Sequence, residues 1–198
     1  MESAKKSDNV GTKQIKAIIG PHAGLDFSGP TGAWAYINID PSQYNRVILM
    51  GPSHYVYLDN CALSKMTSYK TPIKDLPVDT ATVEALAYTG KFGEMTKKQD
   101  EQEHSLEMHL PFIAKIFKGH TVKLVPILVG NLTKAKEKEY GKILAPFFED
   151  KETLFIISSD FCHWGEDFDY MPHNKKEFGN QIWKSIEALD SQAMELIE

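Results

Sequence analysis

The sequence predicts an α/β fold with a mainly parallel or mixed central sheet and helices on both of its faces. Three observations support this prediction: short apolar runs with the composition of buried strands, amphipathic segments with helical spacing, and a regular alternation of the two. The four strand-like runs, in chain order, are Ile15–Gly20, Arg46–Met50, Val122–Val129 and Leu154–Ile157. In sheets of this kind ligands bind beyond the carboxyl ends of the strands, so the residues after each run are the first place to look for a site.

The segments between these runs carry helix caps and helix stops. Cys61–Tyr69 is predicted to contain one or two weaker strands, and Pro126 predicts an irregular strand or a bulge within the third run. The predicted helices, in chain order, are one that starts at Pro30, one capped by Asp79 and stopped by Gly90, one from Leu106 to Phe117 with a break at Pro111, one capped by Thr133, and one that carries Phe178, Ile182, Ile186 and Leu189.

Composition and charge narrow the classes of function. The 198 residues suit one domain, which we predict over residues 15–198 after a flexible tail at residues 1–14. No apolar run reaches the ~20 residues that a membrane span needs, so we expect no membrane insertion. A net charge of -5 without a basic patch argues against nucleic acid as a partner. The 2 cysteines suit a reducing compartment, and we expect a cytoplasmic location with the nucleus as a second one.

Three of the 7 histidines come directly after predicted strands. His22 follows the first run, His54 the second, and Asp160 and His163 the fourth. Neutral imidazole is a common ligand for iron, copper and zinc, so we predict one cleft that binds a divalent metal, iron first. Asp160 is either a ligand or a carboxylate that orients one, and His163 is either a ligand or an acid/base group. The competing interpretations are hydrogen-bonded turn histidines and a helix N-cap at Asp160.

A fourth polar cluster spans Glu103–His109. His104 and Glu107 are three residues apart, a spacing that places both on one helix face. We predict that Glu103 and His104 supply acid/base or hydrogen-bonding groups at the rim of the same cleft. The competing interpretation is a solvated helix start, where acidic residues are favoured by the helix dipole.

Six segments resemble motifs of the Memo family, which is named for a mediator of receptor-tyrosine-kinase-driven cell motility. In chain order they are IIGPHAG, LMGPSHYV, YKTPIKDL, DEQEHSLEMHLPF, VPILVGNL and SSDFCHWG. The resemblance runs from about Lys16 to the end of the sequence. The family fold is similar to that of the extradiol ring-cleaving dioxygenases, which use non-haem iron, so the resemblance implies an extradiol-dioxygenase-like α/β fold.

The resemblance also implies roles for particular residues. His22 and His54 match the family's two histidine metal ligands, and Asp160 and His163 match motif residues that line the same pocket. Binding of iron or copper, redox chemistry, and signalling from receptors to microtubules and cell migration follow as expectations. Ring cleavage does not.

Two family segments have no match in this sequence. One is an N-terminal His-Ala-Gly-Ser-Trp-Tyr segment, and the other is a later Cys-Gly-Arg-His-Pro segment whose cysteine is the family's third ligand. Ser191–Glu198 has the pattern of a helix without a terminal cap. We therefore expect a chain shortened at both ends relative to the family, with Asp160 as the anionic substitute ligand and an exposed apolar sheet edge.

Two classes of function remain open from the sequence. The first is a metal-dependent redox protein, or oxidoreductase, that acts in receptor signalling. The second is a non-catalytic adaptor that binds a phosphopeptide or a receptor or adaptor protein in the same pocket, with Trp34, Tyr55 and Trp164 as aromatic anchors. Hydrolysis by a metal-activated water has no supporting feature.

Overall fold

A computed structural model of the chain describes residues 3–8 and 13–197. The chain divides into two compact units, Met1–Ser159 and Asp160–Glu198. The single domain predicted over residues 15–198 stays a prediction. Of the tail predicted at residues 1–14, residues 1–2 and 9–12 lie outside the described residues. In the described part, Ala4 is buried and the Ser7 N–H donates to Asn38 Oδ1 at 2.7 Å.

The first unit is built on a six-stranded sheet with the strand order β1-β8-β2-β7-β3-β6. Neighbouring strands are parallel throughout, except that β3 is antiparallel to β7. A separate antiparallel pair joins β4 and β5. The sheet confirms the predicted α/β class and its mixed form. The strands are β1 (Ala17–Gly20), β2 (Arg46–Pro52), β3 (Cys61–Leu63), β4 (Ser68–Tyr69), β5 (Leu76–Pro77), β6 (Gly93–Glu94), β7 (Lys123–Val129) and β8 (Thr153–Ser158).

Helices of the first unit cover both faces of this sheet, because successive side chains of a strand point to opposite sides. Val47 of β2 belongs to one buried apolar cluster, together with Tyr36 and Ile113. The next residue, Ile48, belongs to a second cluster with Tyr140. The helices are α1 (Leu25–Tyr36), α2 (Thr80–Tyr88), α3 (Lys97–Gln102), α4 (His104–Glu107), α5 (Leu110–Ile116) and α6 (Lys134–Glu149), with a 3-10 turn at Pro41–Gln43.

Several predicted helix boundaries are confirmed. The Asp79 side chain accepts a hydrogen bond from the Thr82 N–H at the start of α2, and Gly90 follows the helix with a φ of 69°. Such a left-handed conformation is one that glycine adopts without steric cost. The pattern from Leu106 to Phe117 is broken into α4 and α5, with Pro111 in the first turn of α5. Proline is tolerated there because first-turn N–H groups have no intrahelical acceptor.

The prediction that Pro30 begins the first helix is wrong. Helix α1 begins at Leu25, where the Gly24 carbonyl accepts hydrogen bonds from Phe27 and Ser28, and Pro30 lies inside the helix. Pro30 is exposed, so water can reach the carbonyl that loses its N–H donor to the proline. The apolar pattern after Pro30 therefore marked the middle of the helix and not its start.

Pro126 also behaves differently from the prediction, since β7 pairs with β2 in continuous register through it. The other side of β7 changes partner at this point. Leu124 forms a bridge with Val78, whereas the pairing with β3 begins at Ile127. A missing N–H is therefore tolerated, because Pro126 falls in the gap between two partners.

The second unit contains a 3-10 turn at Glu166–Phe168 and two helices, α7 (Lys175–Phe178) and α8 (Ile182–Ile197). The predicted single stripe from Phe178 to Leu189 is therefore divided between two helices. Gly179, with a φ of 58°, separates them. Among the residues that the structure describes, no helix has the length and apolar character needed to cross a membrane.

Candidate metal centre

Three histidines meet at the carboxyl edge of the sheet in the first unit. His22 follows β1, His54 follows β2, and His104 is the first residue of α4. One ligand atom from each ring lies within 4.8 Å of the other two. Ring centroids are 5.1 Å apart for His22 and His54, 5.6 Å for His22 and His104, and 4.2 Å for His54 and His104. The predicted meeting of His22 and His54 at one edge agrees with the structure, and His104, predicted at the rim of the same cleft, lies beside them.

His22 is held by Ser158, the last residue of β8, which pairs with β1. The Ser158 hydroxyl donates its one proton to the Ser105 carbonyl at 2.7 Å. It can therefore only accept from His22 Nδ1, which lies 2.6 Å away. Nδ1 of the neutral ring consequently carries the proton, and Nε2 carries the lone pair that a metal would bind.

His54 is held by Glu103. The Glu103 carboxylate accepts hydrogen bonds from the backbone N–H of His54 at 2.8 Å and from its ring Nδ1, also at 2.8 Å. An ionised carboxylate only accepts, so this ring too is protonated at Nδ1 and presents Nε2 as its ligand atom. A carboxylate behind a ligating histidine fixes the ring and raises its basicity.

Glu103 is itself ionised in spite of being 1% exposed. Burial raises the pKa of its carboxyl group, but hydrogen bonds from His54 and Ser105 outweigh burial and leave the pKa below its ordinary value. The Ser105 N–H contributes one of these bonds at 3.0 Å. Glu103 is the N-cap of α4, as the competing interpretation of a helix start expects, but it is buried and not solvated.

His104 differs from the other two histidines. Within the part of the chain that the structure describes, its buried Nδ1 has no hydrogen-bond partner. The nearest carboxylate oxygen, Glu103 Oε1, is 3.7 Å away, which is beyond hydrogen-bond distance. The Tyr55 ring lies edge-on at a centroid distance of 5.9 Å. A buried ring nitrogen without a donor or acceptor is costly to leave unpaired, and a metal ion is one way to satisfy it.

The donor set fits a transition metal. All three donors are imidazole nitrogens, which suit iron, copper, zinc and nickel better than magnesium or calcium. His22 is buried, His104 is half-buried and His54 is exposed, so the cluster lies where solvent or a small molecule can reach one side of it. Catalytic metal sites share this feature, because they keep a coordination position open.

A close approach between α4 and β2 sets the position of His104. A side chain at Gly51 of β2 would place its Cβ 2.7 Å from Ser105 Oγ, so only glycine allows this contact. The Ser105 hydroxyl donates to the Pro52 carbonyl at 2.7 Å and ties the helix to the strand end. Together with the bonds of Ser105 to Glu103 and Ser158, this contact links the supports of His22 and His54 into one network.

Asp160 and His163 belong to the second unit. There, His163 Nε2 lies 3.8 Å from Asp160 Oδ2, and the His163 ring contacts the Phe168 ring at a centroid distance of 4.9 Å. Asp160 is not the N-cap of any helix in residues 13–197, which removes that competing interpretation. The prediction that these two residues act with the histidine cluster stays a prediction.

Sequence reasoning missed one group of the site, Ser158, and one buried pair outside the histidine cluster, His109 and Tyr36. Ser158 had no signal of its own, because a serine at a strand end is ordinary and its contact with His22 depends on the pairing of β1 with β8. His109 was treated only as part of the polar cluster, but it is 1% exposed and its Nδ1 lies 2.7 Å from the hydroxyl of Tyr36. Burial raises the pKa of Tyr36 well above its ordinary value, so this hydroxyl stays protonated.

The two cysteines show no sign of nucleophilic reactivity. Cys61 is buried in β3, and burial raises the pKa of its thiol to about 12. Cys162 is half-buried, and burial raises its pKa as well. Reactive thiols have a lowered pKa, because the thiolate is the nucleophile.

The chain is similar in sequence to proteins of one family over nearly its whole length. The family model described as "Memo-like protein" matches residues 1–198. The curated protein MEMO1 of Xenopus laevis is 46% identical over 188 residues, which is 94% of this chain and 63% of that protein. MEMO1 of Danio rerio is 46% identical over 185 residues, or 92% of this chain and 62% of that protein. The memo-1 homolog of Caenorhabditis elegans is 42% identical over 193 residues, or 96% and 55%. The chain thus spans less than two thirds of the length of these relatives.

Proposed function

Because this chain belongs to the Memo family, we propose that it binds iron or copper in the cluster of His22, His54 and His104 and serves redox chemistry in receptor signalling. One observation carries this proposal: three imidazoles from separate segments of the chain offer ligand atoms within 4.8 Å of one another. Iron is the first expectation and copper the second. The proposal includes action in the cytoplasm, upstream of microtubule regulation and cell migration.

The supporting residues have distinct roles in this proposal. Ser158 and Glu103 hold the Nδ1 protons of His22 and His54, which leaves Nε2 of each ring as the donor atom. Glu103 also places negative charge behind His54, which favours a cation in front of it. A bound iron or copper ion would supply one-electron redox chemistry, while these residues fix the ligands.

Asp160 and His163 complete the proposal as an anionic group and an acid/base group. Their support is the match of SSDFCHWG to the family motif, and the distance of 3.8 Å between His163 Nε2 and Asp160 Oδ2 makes them neighbours without a direct hydrogen bond. Histidine beside a carboxylate can move a proton near neutral pH. The metal content of Asp160→Asn and His163→Ala tests this part of the proposal.

Metal analysis tests the proposal directly. We expect protein purified without a histidine tag to retain iron or copper, and His22→Ala and His54→Ala each to lose most of it, because two imidazoles bind far more weakly than three. His104→Ala should show an intermediate or equal loss. The matched control is His120→Ala, since His120 is exposed and outside the cluster.

Equal metal content in the wild type, His22→Ala and His54→Ala would contradict the proposal. A loss of metal in His120→Ala of the same size would also contradict it, because binding would then follow total histidine content. Circular dichroism of each variant shows whether a loss of metal reflects a loss of fold.

A second candidate function is capture of a peptide at the same edge. Tyr55 is 58% exposed beside His104. Trp34 is 51% exposed, but it lies in the last turn of α1, which leads away from this edge toward the start of β2. Exposed aromatic side chains of this kind are common anchors in protein interfaces. Titration of a receptor-derived phosphopeptide with and without chelator separates the two functions. Binding that survives chelation supports an adaptor, and binding that vanishes in every chelated sample supports the metal centre.

A further inference from the structure

A cavity of about 370 Å³ lies in the first unit beside α3, α4 and α5. Its volume is within the range of small-molecule sites. Met66, Leu106 and Leu110 supply an apolar wall, and Tyr69 of β4 supplies an aromatic one. Asp100 contributes a carboxylate to the lining. The cavity thus combines an apolar surface with two buried carboxylates, Asp100 and Glu103.

Asp100 is unusual among the buried carboxylates of the first unit. It is 7% exposed and accepts hydrogen bonds from the hydroxyls of Ser64 and Tyr69, each at 2.5 Å. Both donors are neutral, and no lysine or arginine in residues 3–8 or 13–197 forms an ion pair with Asp100. Burial raises the pKa of its carboxyl group.

Asp79 shows one way in which this chain stabilises a buried carboxylate. It is 6% exposed, but Arg46 Nε lies 2.8 Å from its Oδ2. Burial raises the pKa of Asp79, and hydrogen bonds from Arg46 and Thr82 outweigh burial and lower it. Glu103 also has no arginine, but N–H groups of His54 and Ser105 stabilise its charge. Among the described contacts Asp100 accepts only from two hydroxyls, so a cation from outside would stabilise its ionised form.

The remaining charges of the cavity also favour a cation. Glu101, Glu103 and Glu107 line it with Asp100, against two lysines, Lys70 and Lys97. Lys97 is already near Glu101 at 3.5 Å. The carboxylate oxygens of these acidic residues are not close enough together to hold a metal ion. Among the described residues only His22, His54 and His104 have ligand atoms arranged in that way.

The geometry points to a site for a primary alkylammonium group, with its charged end against Asp100 and its carbon chain on Met66, Leu106 and Leu110. The apolar wall matches an alkyl chain, and the hydroxyl of Tyr69 beside Asp100 offers an oxygen to the ammonium N–H groups. Such a group occurs in small amines and in lysine side chains. The inference requires no metal for binding, although Glu103 of the cavity wall also holds His54.

The test is a titration of the full 198-residue chain with hexylammonium, followed by ¹⁵N NMR shifts. The matched neutral probe is 1-hexanol, which keeps the chain and removes the charge. We expect saturable shifts at residues of the cavity wall with hexylammonium, and an affinity for hexanol that is about tenfold lower or worse, because burying an ion against its partner is far stronger than burying a hydroxyl.

Two variants sharpen this test. Asp100→Asn should weaken hexylammonium binding about tenfold or more, whereas Glu107→Gln, which removes an equal charge from an exposed position of the same cavity, should change it about threefold or less.

A third ligand, Nα-acetyl-lysine N-methylamide, separates a lysine side chain from a free amine as the occupant. Tighter binding than hexylammonium assigns the site to a peptide, and weaker binding assigns it to a free amine.

Equal affinity of the wild type for hexylammonium and hexanol would overturn the inference. So would hexylammonium binding that Asp100→Asn leaves unchanged. The comparison of the two probes needs no variant, so it decides the matter even if Asp100→Asn fails to fold. Metal removal with chelator should leave the affinity for hexylammonium unchanged.

Discussion

Glu103 and Asp100 are buried carboxylates three residues apart, yet their pKa values are displaced in opposite directions. Glu103 is the more buried of the two, at 1% exposed against 7%, and it is also the more acidic. Depth of burial therefore does not decide the charge. The donors decide it, since Glu103 accepts from N–H groups of His54 and Ser105 while Asp100 accepts only from hydroxyls of Ser64 and Tyr69.

The two kinds of donor differ in what they impose. A backbone N–H can only donate, so it favours the ionised carboxylate and fixes its orientation. A hydroxyl can donate or accept, so it serves a carboxylate, a carboxylic acid or an amide almost equally well. Glu103 is thus committed to holding His54, whereas Asp100 remains able to accept a different partner.

The largest expected effect is on stability. Glu103→Gln should lower the free energy of unfolding by about 3 kcal/mol, because the glutamine amide turns an N–H₂ toward N–H donors and leaves buried donors without an acceptor. Asp100→Asn should change it by about 1 kcal/mol or less, because the Ser64 and Tyr69 hydroxyls can rotate to suit the amide. Urea unfolding of both variants measures the difference. Equal losses would show that burial, and not the donors, sets the role of each carboxylate.

A smaller effect is expected for two serine hydroxyls, one in each network. Ser158→Ala removes the acceptor for His22 Nδ1 and should weaken metal binding about tenfold, because the ring is then free to change tautomer. Ser64→Ala removes a hydroxyl that donates to Asp100 and should leave metal affinity unchanged. Competition with a chelator of known affinity measures both. Equal metal affinities for Ser158→Ala and the wild type would remove Ser158 from the site.

The comparison also shows which parts of the structure the sequence could predict. The fold class and the meeting of His22 with His54 follow from local patterns, because apolar runs predict parallel strands and parallel strands end at a shared edge. The closeness of His22 and His54 also needs β1 and β2 to lie near each other in the sheet, and only β8 lies between them. A simple rule was therefore sufficient for these two residues.

Other features depend on contacts between distant segments and had no local signal. The position of His104 depends on the approach of α4 to Gly51. A glycine in a strand does not indicate which other segment packs against it. The tolerance of Pro126 depends on where β3 begins to pair with β7. The carboxylate pair is the clearest case, because Asp100 and Glu103 lie in one acidic segment and only their partners from residues 54, 64 and 69 distinguish them.

The smallest expected effect is a pH dependence that belongs to Asp100. Because its pKa is raised in the folded state above the ordinary value of 3.8, the native chain holds this proton at a pH where the unfolded chain has lost it, so stability falls as pH rises through the folded pKa. Asp100→Asn cannot titrate, and its stability relative to the wild type should therefore increase between about pH 4 and pH 7. Urea unfolding across this range measures the gap, with Glu101→Gln as the control for an exposed neighbouring charge. The other charged groups around the cavity, Lys70, Lys97, Glu103 and Glu107, are common to both chains and cancel in the difference. A difference in the free energy of unfolding that stays constant would mean that Asp100 is ionised throughout this range. A difference that narrows with rising pH would mean that a cation of the chain itself pairs with Asp100 in solution.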